Sequence, residues 1–283
     1  MSQTCPFYLP RFVKILKVKM EIIGYLASVL AGLSLGMIGG GGSIMTVPIL
    51  VYLFSVSPVS ATEYSLFIVG ITSLIGVVPL YREKSIDFNL AVRFGIPSIL
   101  AVIFARKVIL PAIPEEIILF GSIIILRRLL IMLFFAMVMI TASVLMIFRK
   151  EKTETGSENT RKNQFVLILA EAISVGTISG ISGAGGGFLI IPLLTILNKT
   201  PMKKAIGTSL LVIGVQSMIG FLAGLPGANP DWQLLLKIAV LSVMGFFAGN
   251  YLSEKISAGM LRNTFGWFVL CIGIYIILKE LTF

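Results

Sequence analysis

The stretch GAGGGFLIIP, Gly183 to Pro192, together with its echo GGGGSIMTVP, Gly39 to Pro48, decides how this chain folds. Each lies inside a long apolar run. Glycine in a helix interior costs about 1 kcal/mol against alanine, so a run of them ends the helix unless packing compensates. A new apolar segment starts at once after each run, at Ser43 and at Gly187. The pattern predicts two helices broken at membrane depth, each break presenting the N-terminus of a second helix. Unpaired N–H groups and the positive end of the helix dipole make such a break a natural anion site. Irregular backbone survives inside a bilayer only where protein buries it or where it lines a wet cavity. Two breaks in corresponding places point to a transporter's substrate site. The plainer reading is a glycine-rich turn between helices, but such a turn needs one or two glycines and not a duplicated run.

Composition sets the class. Of 283 residues, 57% are hydrophobic and 13% charged, and the mean hydropathy is +1.00. These values belong to an integral membrane protein. The apolar runs are continuous and do not alternate, so the spans are helices and not barrel strands. The net charge of +10 gathers near the N-terminus and in a few loops. That distribution fits a positive-inside bias and argues against nucleic-acid binding. The chain has no histidine, which removes His metal sites, His proton relays and Ser-His catalysis. Cys5 and Cys271 make no disulfide framework. No nucleotide-binding motif is present, and no metal or cofactor is expected.

Apolar segments fall at about 22–38, 43–55, 61–80, 88–105, 117–148, 164–182, 187–198, 205–224, 233–250 and 260–279. The tail 1–21 carries Arg11, Lys14, Lys17 and Lys19, shows no cleavable signal, and leads into the first membrane helix. The segments after the glycine clusters are too short to span alone. The run from Ile117 is too long for one upright helix, so part of it is expected to form an interfacial connector. Residues 149–163 are the one long polar stretch and read as a linker between an N-terminal membrane repeat, 1–148, and a C-terminal one, 164–283.

Those two parts match at a constant offset. Gly39, Gly41, Gly42 and Pro48 correspond to Gly183, Gly185, Gly186 and Pro192; Ser65, Gly70 and Ser73 to Ser209, Gly214 and Ser217; and Asp87 to Asp231. Shared membrane composition does not align prolines, aspartates and glycine clusters in one register, so duplication is the better account. Equivalent loops carry opposite charge bias. Residues 55–60 lack Lys and Arg where 199–204 holds Lys199, Lys203 and Lys204, and 81–89 holds Arg82 and Lys84 where 223–231 has none. That is the signature of an inverted-topology repeat, although the basic N-terminal tail runs against it. Each half would then comprise a glycine-broken helix pair and about three further helices.

Several polar residues sit within apolar runs. Thr208, Ser209, Gln216 and Ser217 lie in the segment from Ala205. A Ser or Thr hydroxyl can return to its own helix carbonyl, but the Gln216 amide needs partners in hydrocarbon. The first half departs here, reading ATEYSL where the second reads AIGTSL, so that Glu63 and Tyr64 stand for Gly207 and Thr208. Glu63 near a helix start can simply favour the dipole. Glu171 is an intramembrane carboxylate, open to proton coupling or to an interfacial, neutralised role. The small-residue ladders Gly32, Gly36, Gly40 and Gly176, Gly180, Ala184 suit close helix packing before ligand contact. GISG at Gly180 fits the GxSG of rhomboid proteases only weakly, because there is no histidine base.

With both clusters in view, the chain resembles the sulfite exporter TauE/SafE family over nearly its whole length. The resemblance rests on GGGGSIMTVP, GAGGGFLIIP and AIGTSL. It implies a multi-pass transporter of the cytoplasmic membrane, moving sulfur-containing organic acids or sulfur oxyanions. The expected fold is an all-α polytopic membrane protein of two pseudo-symmetric halves meeting at an anion site. Backbone groups of Gly41, Gly42, Ser43, Gly185, Gly186 and Gly187 would hold the anion, with side-chain donors from Thr208, Ser209 and Gln216 and ion coupling at Glu171. The partners expected are a small anionic substrate, the lipid bilayer, a coupling proton or sodium ion, and a second copy in a homodimer. The rival reading is a passive channel for small anions or other small solutes built on the same breaks.

Overall fold

The computed structural model describes residues 9–40, 42–119, 123–148, 161–197, 202–225, 230–253 and 258–282. Helix α1 (Leu9–Ile38) runs into the first glycine cluster and stops, with Gly39 at φ +76°, a conformation side chains rarely adopt. Helix α2 (Ser43–Tyr52) starts at the predicted residue. Helix α3 (Pro58–Arg82) is capped by Ser57, whose Oγ accepts from the Ser60 N–H at 3.3 Å. Pro58 takes the first helical position, where its missing N–H costs nothing. Asp87 caps α4 (Phe88–Phe104) by accepting from the Leu90 N–H at 3.0 Å.

The α4 rod does not end there. A π-helical turn (Ala105–Ile109) and the short α5 (Leu110–Ala112) extend it into a 25-residue apolar span, Phe88–Ala112. The chain then forms an antiparallel ribbon, β1 (Glu116–Leu119) with β2 (Ile123–Leu126), Glu116 standing opposite Leu126. Isoleucine-rich flanks around Gly121 favour strand pairing. This ribbon takes the part of the long run expected as a connector, and it is the one departure from an all-helical fold. Helix α6 (Arg127–Phe148) follows.

The second half holds α7 (Arg161–Ser182), α8 (Gly187–Leu197), α9 (Met202–Gly224), α10 (Trp232–Ser253) and α11 (Ala258–Thr282). Helix α8 also starts at the predicted residue. Of the linker expected at 149–163, residues 149–160 lie outside the described residues, and 161–163 already belong to α7. The basic tail is likewise helical from Leu9. Six of the described helices are long and apolar enough to cross a membrane. The chain is a multi-pass membrane protein.

Helices α3 and α9 form the centre, with 61% and 67% of their spans buried against 39% in the other four. They run antiparallel: Glu63 lies by Gly224, Leu66 by Gly220, Gly70 by Met218 and Leu74 by Gly214. Around them, the first helix of each half lies along a helix of the other. An added Cβ at Gly32 or Gly36 would collide with the carbonyls of Ser242 or Phe246 on α10, and at Gly245 or Gly249 with those of Val29 or Leu33 on α1. Gly176 and Gly180 approach Ser98 and Val102 on α4 in the same manner. The glycine ladders thus bring backbones together, which is how helices gain dispersion contacts where no hydrophobic drive exists. Large apolar side chains such as Leu26, Leu100 and Met244 are exposed on the outside, as a lipid-facing surface requires.

Candidate functional site

The two breaks meet. Gly40 and Gly187 touch backbone to backbone, an added Cβ at Gly187 standing 2.8 Å from the Gly40 Cα. Three glycines of the second break, Gly183, Gly185 and Gly186, have φ near +70° (72°, 69° and 69°). Gly41 lies outside the described residues. In the first break Ser43 is buried, and its Oγ donates to the Gly40 carbonyl at 2.8 Å. Gly42 packs against the Ala31–Leu35 backbone.

The second break carries the polar network. The Gln216 Nε2 donates to the Gly185 carbonyl at 2.6 Å and to the Ser179 Oγ at 3.4 Å, and its Oε1 accepts from the Ser98 hydroxyl. Both ends of the amide expected to serve an anion are therefore engaged by protein, and they hold the break's shape. Ser209 donates to the Ile206 carbonyl at 2.9 Å and to the Gly39 carbonyl at 3.4 Å, joining α9 to the first break.

Thr208 has a different job from the one the sequence suggests. Its Oγ1 accepts the Asp87 N–H at 2.9 Å, pinning the start of α4 to α9. At the equivalent place in the other half, the Tyr64 hydroxyl accepts the Asp231 N–H at 2.8 Å. The departure ATEYSL therefore keeps the hydroxyl that the repeat needs, delivered by a longer side chain.

Three hydroxyls that sequence reasoning left without a role stand out. Ser65, Ser73 and Ser217 on α3 and α9 are fully buried, and their Oγ atoms have no hydrogen-bond partner among the described residues. The Ser217 Oγ lies 3.0 Å from where a Cβ on Gly185 would stand, so it faces the second break. A buried hydroxyl without a partner is destabilising, and such exceptions mark places where something else binds. Their signal was visible in the sequence, since Ser73 and Ser217 are repeat equivalents. Glu171 stands apart, half-buried on α7 and about four turns before Gly185 along the chain.

Against this geometry the comparisons can be read. The sequence profile described as Sulfite exporter TauE/SafE matches residues 24–276. The chain belongs to the sulfite exporter TauE/SafE family. Within it, a protein of Xylella fastidiosa described as "Probable membrane transporter protein" is 30% identical over 259 residues, covering 89% of this chain and 92% of its own. The "Probable membrane transporter protein YunE" of Bacillus subtilis is 27% identical over 253 residues, with 86% and 90% covered. The "Probable membrane transporter protein MJ0441" of Methanocaldococcus jannaschii is 34% identical over 122 residues, 40% of this chain and 46% of its own. No solved structure matches. This TauE/SafE chain is a membrane transporter, and the glycine clusters at its centre are the structural core that its transport function must use.

Proposed function

We propose that the protein is a secondary transporter of small sulfur-containing anions, sulfite or sulfonates, working by alternating access between two inverted-topology repeats. The observation that carries this reading is the meeting of two helix breaks beside buried hydroxyls that lack protein partners, with no charged side chain among them. Neutral donors suit an anion that must leave again, because a fixed countercharge would slow release. The antiparallel pairing of the equivalent helices α3 and α9 supports the inverted repeat. It puts Arg82, Lys84 and Lys204 at one end and residues 55–60 with Asp231 at the other, so the basic end is the cytoplasmic one.

A passive channel is the rival. The cavity beside the first break, between Gly42, Ser43, Thr46 and Thr72, measures about 10 Å³, room for about one water. An oxyanion enters such a centre only when the helices part, as in a carrier. Reconstituted in proteoliposomes, the protein should show saturable sulfite uptake that unlabelled sulfite on the far side accelerates and that a proton or sodium gradient drives. Flux linear in concentration, without trans-acceleration, would assign the channel.

A further inference from the structure

At the end of the molecule where α3 begins and α9 ends, a cavity of about 520 Å³ lies between Glu63, Arg106, Lys107, Arg127 and Gly224. Arg106 occupies the π-helical turn of Ala105–Ile109, a geometry that re-aims side chains and is frequent at functional sites. Its side chain is fully buried. All three guanidinium nitrogens lack a hydrogen-bond partner among the described residues. The Glu63 Oε1 is 3.9 Å from its Nη1, an ion pair too long to satisfy the N–H groups. Arg127 donates from Nη1 to the Ile113 carbonyl at 3.3 Å. Three cations thus face one carboxylate. A buried guanidinium with unmet donors is costly unless a partner completes it, and its fork matches two oxygens of a carboxylate, sulfonate or sulfate.

We infer that this cavity is a second oxyanion site, an antechamber through which an anion passes on its way to or from the second glycine break. Its position fits that role. Thr62, next to Glu63, packs on Gly183, and Ala105, next to Arg106, packs on Gly180 at 2.7 Å from an added Cβ, so the cavity's charged residues adjoin the helix leading into the break. The other end of the molecule is built differently: Gly207, the counterpart of Glu63, packs against the Ser85 carbonyl. Glu63 competes with the anion for Arg106 and keeps the site weak enough to release.

The inference rests on the proposed anion substrate only for its role in passage; the site itself is tested by binding alone. Sulfate titrated against the purified protein in lipid-free detergent, followed by thermal stabilisation, is the measurement. Glu63→Gln should tighten sulfate binding several-fold by removing the competing carboxylate, and Arg106→Met should abolish that component, while a Ser217→Ala variant keeps it. Because Arg106→Met can fail to fold, Glu63→Gln carries the decision. A purely structural ion pair predicts that Glu63→Gln lowers stability and leaves the sulfate affinity unchanged, and that result overturns the inference. Nanodiscs of phosphatidylcholine and phosphatidylglycerol separate the sources of the oxyanion. Unchanged sulfate binding in both supports a free anion, and loss of it in phosphatidylglycerol alone assigns the site to a lipid phosphate.

Discussion

The two glycine breaks share a backbone plan and differ in everything around it. At the first, Ser43 closes back on the Gly40 carbonyl, and Thr72 donates at 2.7 Å to the Ile68 carbonyl of its own helix. At the second, the residue equivalent to Thr72 is Gln216, and its amide ties Gly185, Ser179 and Ser98 together across three segments. Even the equivalent serines diverge: Ser98 donates to Gln216, whereas Ser242 donates to the Ser28 carbonyl at 3.3 Å. The lesson is that duplication preserves backbone geometry, which glycine alone can supply, while side-chain chemistry drifts wherever either half can carry it.

The comparison breaks most visibly if the two halves do not face opposite ways. After replacement of Cys5 and Cys271, Ser57→Cys and Lys204→Cys should be labelled by a membrane-impermeant thiol reagent from opposite sides, all or none. Labelling of both from one side would end the inverted repeat.

Packing provides the next contrast. The Gly32→Ala methyl would run into the Ser242 carbonyl, with no side chain there to move. It should destabilise by about 1–3 kcal/mol. The Gly180→Ala methyl meets the Ala105 methyl at 2.7 Å and the Val102 carbonyl at 3.1 Å, a milder overlap. Its loss, read by thermal denaturation in detergent, should be roughly half as large. Equal losses would mean that the two interhelical seams are equivalent after all.

The polar contrast follows. Gln216→Leu strands the Gly185 carbonyl and the Ser98 hydroxyl and should cost about 1–3 kcal/mol. Thr72→Val removes only a bond to its own helix and should cost less than about 1 kcal/mol. Near-equal melting temperatures for the two variants would show that the network does not hold the second break.

Much of this was legible beforehand, and the reason is specific. Glycine clusters and prolines act through backbone sterics, so both break positions and both short helices, from Ser43 and from Gly187, could be read directly. Thr208 and Gln216 were read as donors because an apolar run shows that a polar side chain needs a partner but not which partner. The true partners, the Asp87 N–H and the Gly185 carbonyl, are 121 and 31 residues away. Arg106 was hidden by a boundary: the apolar run was ended at 105, and only the π-helical turn shows that the helix continues to Ala112. A buried arginine in a 25-residue apolar span, with Glu63 in another, was the available signal.

The smallest effect is expected at Glu171. Its place on α7, away from both breaks, leads us to expect that Glu171→Gln leaves sulfite uptake and its pH profile unchanged. A flattened profile would put the coupling group there and shift the asymmetry between the halves towards ion coupling.

The central claim, that an anion binds where the breaks meet, is tested most directly by Ser217→Ala. The Ser217 hydroxyl has no protein partner, so its removal should leave the unliganded melting temperature within about 0.5 kcal/mol of the parent. Measured as sulfite-dependent thermal stabilisation, with isethionate and taurine alongside, the parent should be stabilised and Ser217→Ala should need a severalfold higher concentration for the same shift. An identical sulfite dependence in parent and variant would contradict the site.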